Sequence, residues 1–278
     1  MSSTRPLPSA DASSAQLRSF LDALQPLDTG EIRERAGESA AAGVPGSRAE
    51  AVYTAIRLTD LTTLEGTDTP ERVRDLCAIA VQPDAQDPHC PSVAAACVYS
   101  DLAGVAAGAL AGSGVQVAAV AASFPSGRAP LAVRVADVEA AVRAGAGEID
   151  LVIDRGAFLD ERFSELVAQL RALREAAGRA RLKIILETAE LGSLTAVRNA
   201  TWLAMLAGAD MVKTSTGKLA GGATLPDVLV LIEAAQAFEE AAGRSIGVKA
   251  SGGVRTAADA LSYLSLVTAT AGASWLDP

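Results

Sequence analysis

The amino-acid sequence predicts an α/β fold of the (β/α)8 barrel type, and three observations lead to this prediction. Short apolar segments alternate with amphipathic segments of helical length along most of the 278 residues. No GxGxxG motif follows the first apolar segment, and no phosphate-binding GxxxxGKS/T motif occurs. Polar residues that could carry function end several non-adjacent segments, as on the top face of a barrel: Asp60, Cys97, Asp150, Thr188, Lys213 and Lys249.

The alternation predicts seven strands separated by helices. The strands are expected at residues 56–61, 93–99, 115–122, 148–153, 182–187, 209–213 and 246–250. The helices between them include residues 70–80, 132–144, 162–177 and 194–206. The phrase Ala-Gly-Ala precedes two of the strands, at residues 144–146 and 207–209, and glycine there suits a left-handed helix stop. This recurrence indicates a repeated βα unit.

The chain is expected to contain one catalytic domain with an N-terminal extension. Residues 1–45 are interpreted as the extension: a flexible tail rich in Ser, Pro and Ala at residues 1–14, followed by a helix from residue 15 to residue 24. A break at residues 43–47 separates it from the barrel domain, residues 46–278. A chain of this length with 50% hydrophobic residues can bury one large aliphatic core.

Composition excludes several classes of function. A net charge of -9 argues against nucleic-acid or anionic membrane partners, because both attract basic surfaces. The three cysteines, Cys77, Cys90 and Cys97, lack the spacing of a zinc or disulfide framework, so a reducing cytoplasm is the simplest compartment. The single histidine, His89, lies in a polar stretch that is typical of a loop. Histidine triads and most zinc sites are therefore disfavoured.

Two lysines end apolar segments in the second half of the chain, and each is followed by a glycine-bearing polar loop. Lys213 lies in GADMVKTSTGK and Lys249 in SIGVKASGGVRT. Burying an ammonium is costly unless it is paired or neutralised, and two converging ammoniums would force one to lose its proton. A neutral lysine is an amine nucleophile that forms Schiff bases with carbonyl substrates. The sequence therefore predicts a lysine-dependent carbonyl enzyme.

Asp150 supplies a third candidate, because it lies inside the apolar segment GEIDLVI rather than in the loop after it. An isolated buried aspartate is most often a structural ion pair or hydrogen-bond acceptor. With two lysines on later strands, an active-site cluster of Lys213, Asp150 and Lys249 is the competing interpretation.

Seven segments, in this order, closely resemble the deoxyribose-phosphate aldolase family. They are LTDLTTL, AAACVY, SFPSG, EIDLVIDRG, LKIILETAEL, GADMVKTSTGK and VKASGGVRT, within residues 53–256. By this resemblance Lys213 is the Schiff-base lysine, Lys249 keeps it deprotonated, and Asp150 donates and accepts protons. Asp60 and Thr62 would line the substrate side, and a phosphate pocket would include Gly217, Lys218, Gly252 and Gly253.

The resemblance implies a class I TIM-barrel aldolase that reversibly cleaves 2-deoxy-D-ribose 5-phosphate to D-glyceraldehyde 3-phosphate and acetaldehyde. No metal or other cofactor is required for this reaction. Thr188 and Cys97 are expected beside the substrate, although Cys97 also fits a small residue at the edge of the core. Lys183 and Glu187 share one strand but lie about 13 Å apart, so neither is assigned to catalysis.

The sequence departs from the family at its end. After Ala-Gly-Ala at residues 271–273 the chain stops at SWLDP, where the family continues into an eighth strand and a glycine-serine phosphate loop. The eighth strand is therefore expected to be missing and the barrel open. Two alternatives stay open: another lysine-dependent aldolase, such as one for 2-keto-3-deoxy acids, and a truncated phosphate-binding barrel without catalysis. A homodimer is one assembly available to the chain.

Overall fold

A computed structural model describes residues 6–277 of the chain. The first five residues of the expected flexible tail lie outside the described residues. Within the described part, no helix is long and apolar enough to cross a membrane.

In residues 6–277, seven parallel strands form one sheet in the order in which they occur in the chain. They are β1 (Asp60–Thr62), β2 (Ala95–Tyr99), β3 (Gln116–Val120), β4 (Glu148–Val152), β5 (Arg181–Ile185), β6 (Met211–Lys213) and β7 (Gly247–Lys249). The predicted α/β architecture and the count of seven strands are confirmed. The first prediction was misplaced, because residues 56–57 end a helix and the strand begins at Asp60.

Eleven α-helices accompany the strands in residues 6–277. They are α1 (Ser14–Asp22), α2 (Thr29–Ala41), α3 (Arg48–Arg57), α4 (Pro70–Val81), α5 (Ala103–Ala109), α6 (Leu131–Arg143), α7 (Arg155–Leu159), α8 (Phe163–Ala177), α9 (Leu194–Leu206), α10 (Leu225–Ala242) and α11 (Ala257–Ala271). The four helices named in the sequence interpretation correspond to α4, α6, α8 and α9. Helix α3 starts with a capping box between Ser47 and Glu50 and runs to Arg57, so it overlaps the expected first strand.

The outward face of the sheet is aliphatic and packs against the helices. Alternate strand residues, such as Val98, Ile149 and Ile184, belong to one large buried cluster that also contains the apolar sides of the helices. The inward face has two different halves. On β2 and β3 it carries small apolar side chains, including Ala95, Cys97 and Ala118. The charged half, on the remaining strands, is described with the site below.

The sheet curls until its two edge strands approach each other. In the described residues β7 pairs only with β6, and β1 pairs only with β2. Lys249 of β7 nevertheless reaches across the opening, where its Nζ donates to the backbone oxygen of Leu58 at 2.9 Å and to Asp60 Oδ1 at 2.6 Å. The barrel is therefore open along one side, and a side chain spans the gap.

The N-terminal helices pack against the outer layer. Helix α1 contacts α8, while α2 contacts α10 and α11, and α3 contacts α11. Side chains of α1 and α2 are buried in the same apolar cluster as the barrel helices: Leu17, Phe20, Leu21, Ile32 and Ala36. Helix α2 was not predicted from the sequence. The division of the chain at residue 45 stays a prediction.

We expect the extension to stabilise the barrel. Phe20 is buried and meets the Trp202 ring edge to face at 5.3 Å. Phe20→Ala should lower the free energy of unfolding by about 3 to 5 kcal/mol, because it removes a buried ring and leaves a cavity. Urea denaturation measures this loss. Ser19→Ala, on the exposed side of the same helix, should change stability by no more than about 0.5 kcal/mol. Equal stability of the two variants would contradict the packing role of α1.

Candidate active site

Six ionisable side chains from five strands meet inside the barrel, and we call them the charged cluster. The three lysines and three carboxylates are Asp60 on β1, Glu148 and Asp150 on β4, Lys183 on β5, Lys213 on β6 and Lys249 on β7. The register explains their meeting, because Asp150 lies level with Lys183, and Lys213 lies level with Lys249. With all six groups ionised, the three positive and three negative charges cancel.

Lys213 and Asp150 form the tightest pair between two residues predicted for catalysis. Lys213 Nζ donates to Asp150 Oδ2 at 2.6 Å, and both side chains are buried. The other oxygen, Asp150 Oδ1, accepts no hydrogen bond within the described residues. An amine and a proton acceptor are therefore in direct contact, and the second carboxylate oxygen lies 3.3 Å from Lys183 Nζ.

Lys183 is the centre of the charged cluster, and the sequence interpretation left it out. Its Nζ lies 2.8 Å from Asp60, 2.5 Å from Glu148 and 3.3 Å from Asp150. The signal that singled out Asp150 applied here as well, because Lys183 is a charged residue inside a buried apolar strand. The distance between Lys183 and Glu187 along one strand does not indicate how close Lys183 lies to the carboxylates on the neighbouring strand.

Lys249 joins the charged cluster through Asp60 rather than through Lys213. Asp60 accepts from Lys183 with one oxygen and from Lys249 with the other. Asp60 was expected to line the substrate side. In the structure it is also the carboxylate that forms ion pairs with two ammonium groups. Glu148 is held from outside as well, since Arg181 donates to it at 3.1 Å.

The electrostatics of the charged cluster differ from the expectation for Lys213. Burial lowers the pKa of Lys213, but the Asp150 carboxylate together with other acidic neighbours, including Asp60, outweighs this effect, so the net shift is upward. Burial also lowers the pKa of Lys249, and there the Asp60 carboxylate does not compensate fully. Lys249 is thus the lysine with the depressed pKa. The proton of Lys213 is governed by its contact with Asp150.

Cys97 lies in the apolar half of the interior with Leu64, Ala118 and Val120. Its side chain is buried, which is the core-edge environment considered from the sequence. Burial, reinforced by the Asp150 carboxylate, raises the pKa of the Cys97 thiol to about 12. The thiol is therefore protonated at neutral pH and forms part of an apolar wall near the charged cluster.

The loops after β6 and β7 touch above the charged cluster through glycines. Gly222 has a φ of 137°, and a Cβ atom there would lie 2.5 Å from the backbone oxygen of Gly252. Gly252 itself has a φ of 79°. Only residues without a side chain allow these loops to approach so closely. Gly217 and Gly253, with φ values of 74° and 84°, lie in the same two loops.

The other predicted binding residues have partners of their own. Lys218 Nζ donates to Glu65 at 3.0 Å, which links the loop after β6 to the loop after β1. Thr188 is buried and donates to Asp227 Oδ2 at 3.1 Å, so its hydroxyl is held by the first turn of α10. Thr62 is exposed at the end of β1, and its hydroxyl donates to the backbone oxygen of Asp60.

Comparison with known proteins identifies similar chains. Residues 54–274 match the family model described as DeoC/LacD family aldolase. Human deoxyribose-phosphate aldolase is 42% identical over 234 residues, covering 81% of this chain and 74% of the human protein. A Coccidioides immitis structure, provisionally described as a deoxyribose-phosphate aldolase, is 29% identical with a TM-score of 0.69, covering 86% and 91% of the two chains. The tetrameric deoxyribose phosphate aldolase of Aeropyrum pernix is 27% identical with a TM-score of 0.64, covering 86% and 91%.

We expect Asp60→Asn to destabilise the fold, because it removes the charge that two buried ammoniums share. The loss in free energy of unfolding at pH 7 should be about 3 to 5 kcal/mol, as for other broken buried ion pairs. Urea denaturation of both proteins measures it. Asp160→Asn, which removes a carboxylate from an exposed pair with Arg162, is the matched control and should cost at most about 1 kcal/mol.

The same variant has a predicted pH dependence. Burial raises the pKa of Asp60, but Lys249 and Lys183 outweigh burial and bring the pKa below its unfolded value. A depressed carboxylate pKa stabilises the fold above the unfolded pKa, about 3.9, and this contribution is lost as pH falls through the folded pKa. The stability gap between wild type and Asp60→Asn should therefore narrow below about pH 4. A gap that stayed constant down to pH 3 would contradict the ion-pair assignment.

Proposed function

This chain belongs to the DeoC/LacD family of aldolases, and from that premise we propose that it reversibly cleaves 2-deoxy-D-ribose 5-phosphate through a Schiff base on Lys213. The products are D-glyceraldehyde 3-phosphate and acetaldehyde, so the enzyme is a carbon-carbon lyase. The observation that carries the proposal is the buried contact between Lys213 Nζ and Asp150 Oδ2 at 2.6 Å. It joins a nucleophilic nitrogen to the group that can take its proton.

Asp150 activates the nucleophile. A proton moves from the Lys213 ammonium to Asp150, and the neutral amine attacks the aldehyde carbon of the open-chain sugar. The resulting carbinolamine takes back a proton and loses water to form an iminium. Asp150 is close enough to act as the acid and the base in these steps, directly or through one water.

Carbon-carbon cleavage follows from the iminium. Its positive nitrogen accepts the electron pair of the breaking bond while Asp150 removes the proton of the C3 hydroxyl. D-glyceraldehyde 3-phosphate leaves, and a two-carbon enamine remains on Lys213. Protonation of the enamine carbon and hydrolysis of the new iminium release acetaldehyde and restore the amine.

The charged cluster supports this sequence because its charge changes little during the reaction. Proton transfer from Lys213 to Asp150 leaves the net charge of the cluster unaltered, and an iminium replaces an ammonium with the same charge. Lys183, held by three carboxylates, stabilises the ionised form of Asp150 at other stages. Fixed charges that need no rearrangement favour the transition state in a buried site.

We assign Lys249 an indirect role in the reaction. It binds Asp60, and Asp60 binds Lys183, so Lys249 acts on the Lys213 and Asp150 pair through two intermediate charges. Its own pKa is lowered by burial. Lys249 is therefore a positioning residue for the charges around the nucleophile.

The phosphate of the substrate is proposed to bind at the loops after β6 and β7. Backbone amides near Gly217, Gly252 and Gly253 are accessible to an anion because no side chains cover them. Lys218 adds a cation, and its present partner Glu65 would exchange with the phosphate. Asp60 and Thr62, with Cys97 and Thr188 behind them, would line the sugar side.

We further propose that the enzyme works in the cytoplasm in the breakdown of deoxyribonucleotides, as a homodimer. The three cysteines are free and buried, which fits a reducing compartment. Sedimentation equilibrium over a range of protein concentrations tests the assembly. A monomer, or a tetramer such as that described for the Aeropyrum pernix protein, would replace the dimer proposal.

Borohydride trapping tests the nucleophile. Acetaldehyde and borohydride together should fix an ethyl group on Lys213, because only an amine forms a reducible imine, and peptide mass spectrometry locates it. Lys213→Met should abolish labelling. Labelling confined to other lysines would refute the assignment, and cleavage of a 2-keto-3-deoxy acid instead of deoxyribose phosphate would favour the other aldolase class.

Asp150→Asn should separate proton transfer from imine formation. We expect turnover of 2-deoxy-D-ribose 5-phosphate to fall by about a hundredfold to ten thousandfold, the usual contribution of a general acid-base group. Trapping of acetaldehyde on Lys213 during long incubation should stay detectable, since the asparagine leaves the lysine in place. Asp160→Asn serves as the exposed control and should keep normal turnover. Near-normal turnover of Asp150→Asn would exclude the proposed role of Asp150.

A further inference from the structure

Glu187 is a buried carboxylate that the proposed chemistry does not use. It follows β5 in a left-handed conformation, with φ 56° and ψ 60°, and only 1% of the residue is exposed. A non-glycine residue in this region costs about 1 to 3 kcal/mol unless its surroundings stabilise it. Both the burial and the backbone conformation therefore need an explanation in the contacts of Glu187.

The contacts of Glu187 lie in the loop that follows the Schiff-base lysine. Its Oε2 accepts from the backbone nitrogen of Thr216 at 3.2 Å and from the Thr216 hydroxyl at 2.5 Å. The same hydroxyl accepts from the backbone nitrogen of Lys218 at 3.1 Å. Two hydrogen bonds in series thus connect Glu187 to Lys218, which is proposed to bind phosphate.

Arg155, the first residue of α7, holds Glu187 from the opposite side. Its Nη1 lies 3.7 Å from Glu187 Oε2, and its Nε lies 2.9 Å from Glu190 Oε2. Its Nη2 donates to the backbone oxygen of Ser126 at 3.3 Å, in the loop after β3. Arg155 therefore anchors the Glu187 turn to a neighbouring loop and partly balances the buried charge.

The turn around Glu187 also supports the rest of the loop after β6. The backbone nitrogen of Thr188 donates to the backbone oxygen of Thr214 at 3.0 Å. A Cβ atom on Gly221 would lie 2.7 Å from the Cβ of Ala189, so the loop rests directly on this turn. Residues 187–190 thus form a platform under residues 214–221.

We propose that Glu187 is a positioning residue for phosphate recognition: it sets the loop of residues 214–218 in the conformation that receives the substrate phosphate. It acts through Thr216 and does not touch the reacting carbons. This inference rests on the proposed function, because it assumes that the phosphate binds beside Gly217 and Lys218. It predicts an effect on phosphorylated substrates that unphosphorylated ones do not share.

The experiment compares Glu187→Gln with Glu190→Gln. Glutamine keeps the shape of Glu187 but turns an NH2 group toward one of the Thr216 donors and removes the charge. Glu190→Gln also loses a charge on Arg155, yet Glu190 has no hydrogen bond to the loop of residues 214–218. Steady-state kinetics with 2-deoxy-D-ribose 5-phosphate and with unphosphorylated 2-deoxy-D-ribose provide the readout.

For Glu187→Gln we expect KM for the phosphorylated sugar to rise about tenfold to a hundredfold, the loss typical of hydrogen bonds to a charged group. The kinetic constants for unphosphorylated deoxyribose, and trapping of acetaldehyde on Lys213, should change less than about threefold. Glu190→Gln should match wild type with both sugars. An equal change for both sugars, or no change for either, would overturn the inference.

A second pair of variants applies if Glu187→Gln does not fold. Thr216→Val removes the hydroxyl that joins Glu187 to Lys218 and should show the same selective rise in KM. Thr216→Ser keeps the hydroxyl and should restore most of the affinity for the phosphorylated sugar. Equal KM values for Val and Ser would overturn the inference. If wild type fails to trap acetaldehyde on any lysine, the proposed function fails instead, so the two failures are distinguishable.

Discussion

The constraint on which this structure depends is the burial of three ammoniums and three carboxylates inside one barrel. An isolated charge in such an interior costs several kcal/mol, so each group needs a partner within ion-pair distance. Lys183 pairs with carboxylates on both β1 and β4, and Asp60 pairs with both Lys183 and Lys249. The pair of Lys249 and Asp60 also links the two edge strands across the opening of the sheet.

Charge balance also links stability to chemistry. The cluster holds the amine of Lys213 against Asp150, and the proposed steps move a proton or replace one cation by another without altering the total charge. The opposite half of the interior, around Cys97, carries small apolar side chains. The two halves of the barrel interior therefore differ in charge, one ionic and one apolar.

The loops above the charged cluster are also held by contacts with one another. Arg155, Glu187 and Thr216 connect the loops after β3, β5 and β6, and the contact between Gly222 and Gly252 continues the connection to the loop after β7. In the proposed function, the charged cluster binds the reacting end of the substrate, and these connected loops bind its phosphate end. Both the charged cluster and the connected loops depend on buried polar groups whose partners come from different strands.

Local patterns in the sequence were enough to predict the α/β alternation and the seven strands. They also placed Lys213, Asp150 and Lys249 as charged residues on apolar strands. Side-chain periodicity and the cost of burying charge are properties of short segments, so both can be recognised in the sequence. Helix α2, the central place of Lys183 and the pairing of Lys249 with Asp60 could not be predicted in this way. Lys183 and Asp150 are level only through the register between β4 and β5, and Asp60 lies 189 residues before Lys249. Which charges neutralise each other, and therefore which lysine has the depressed pKa, was decided by the tertiary structure, since electrostatic energy depends on distance in space and not on separation along the chain.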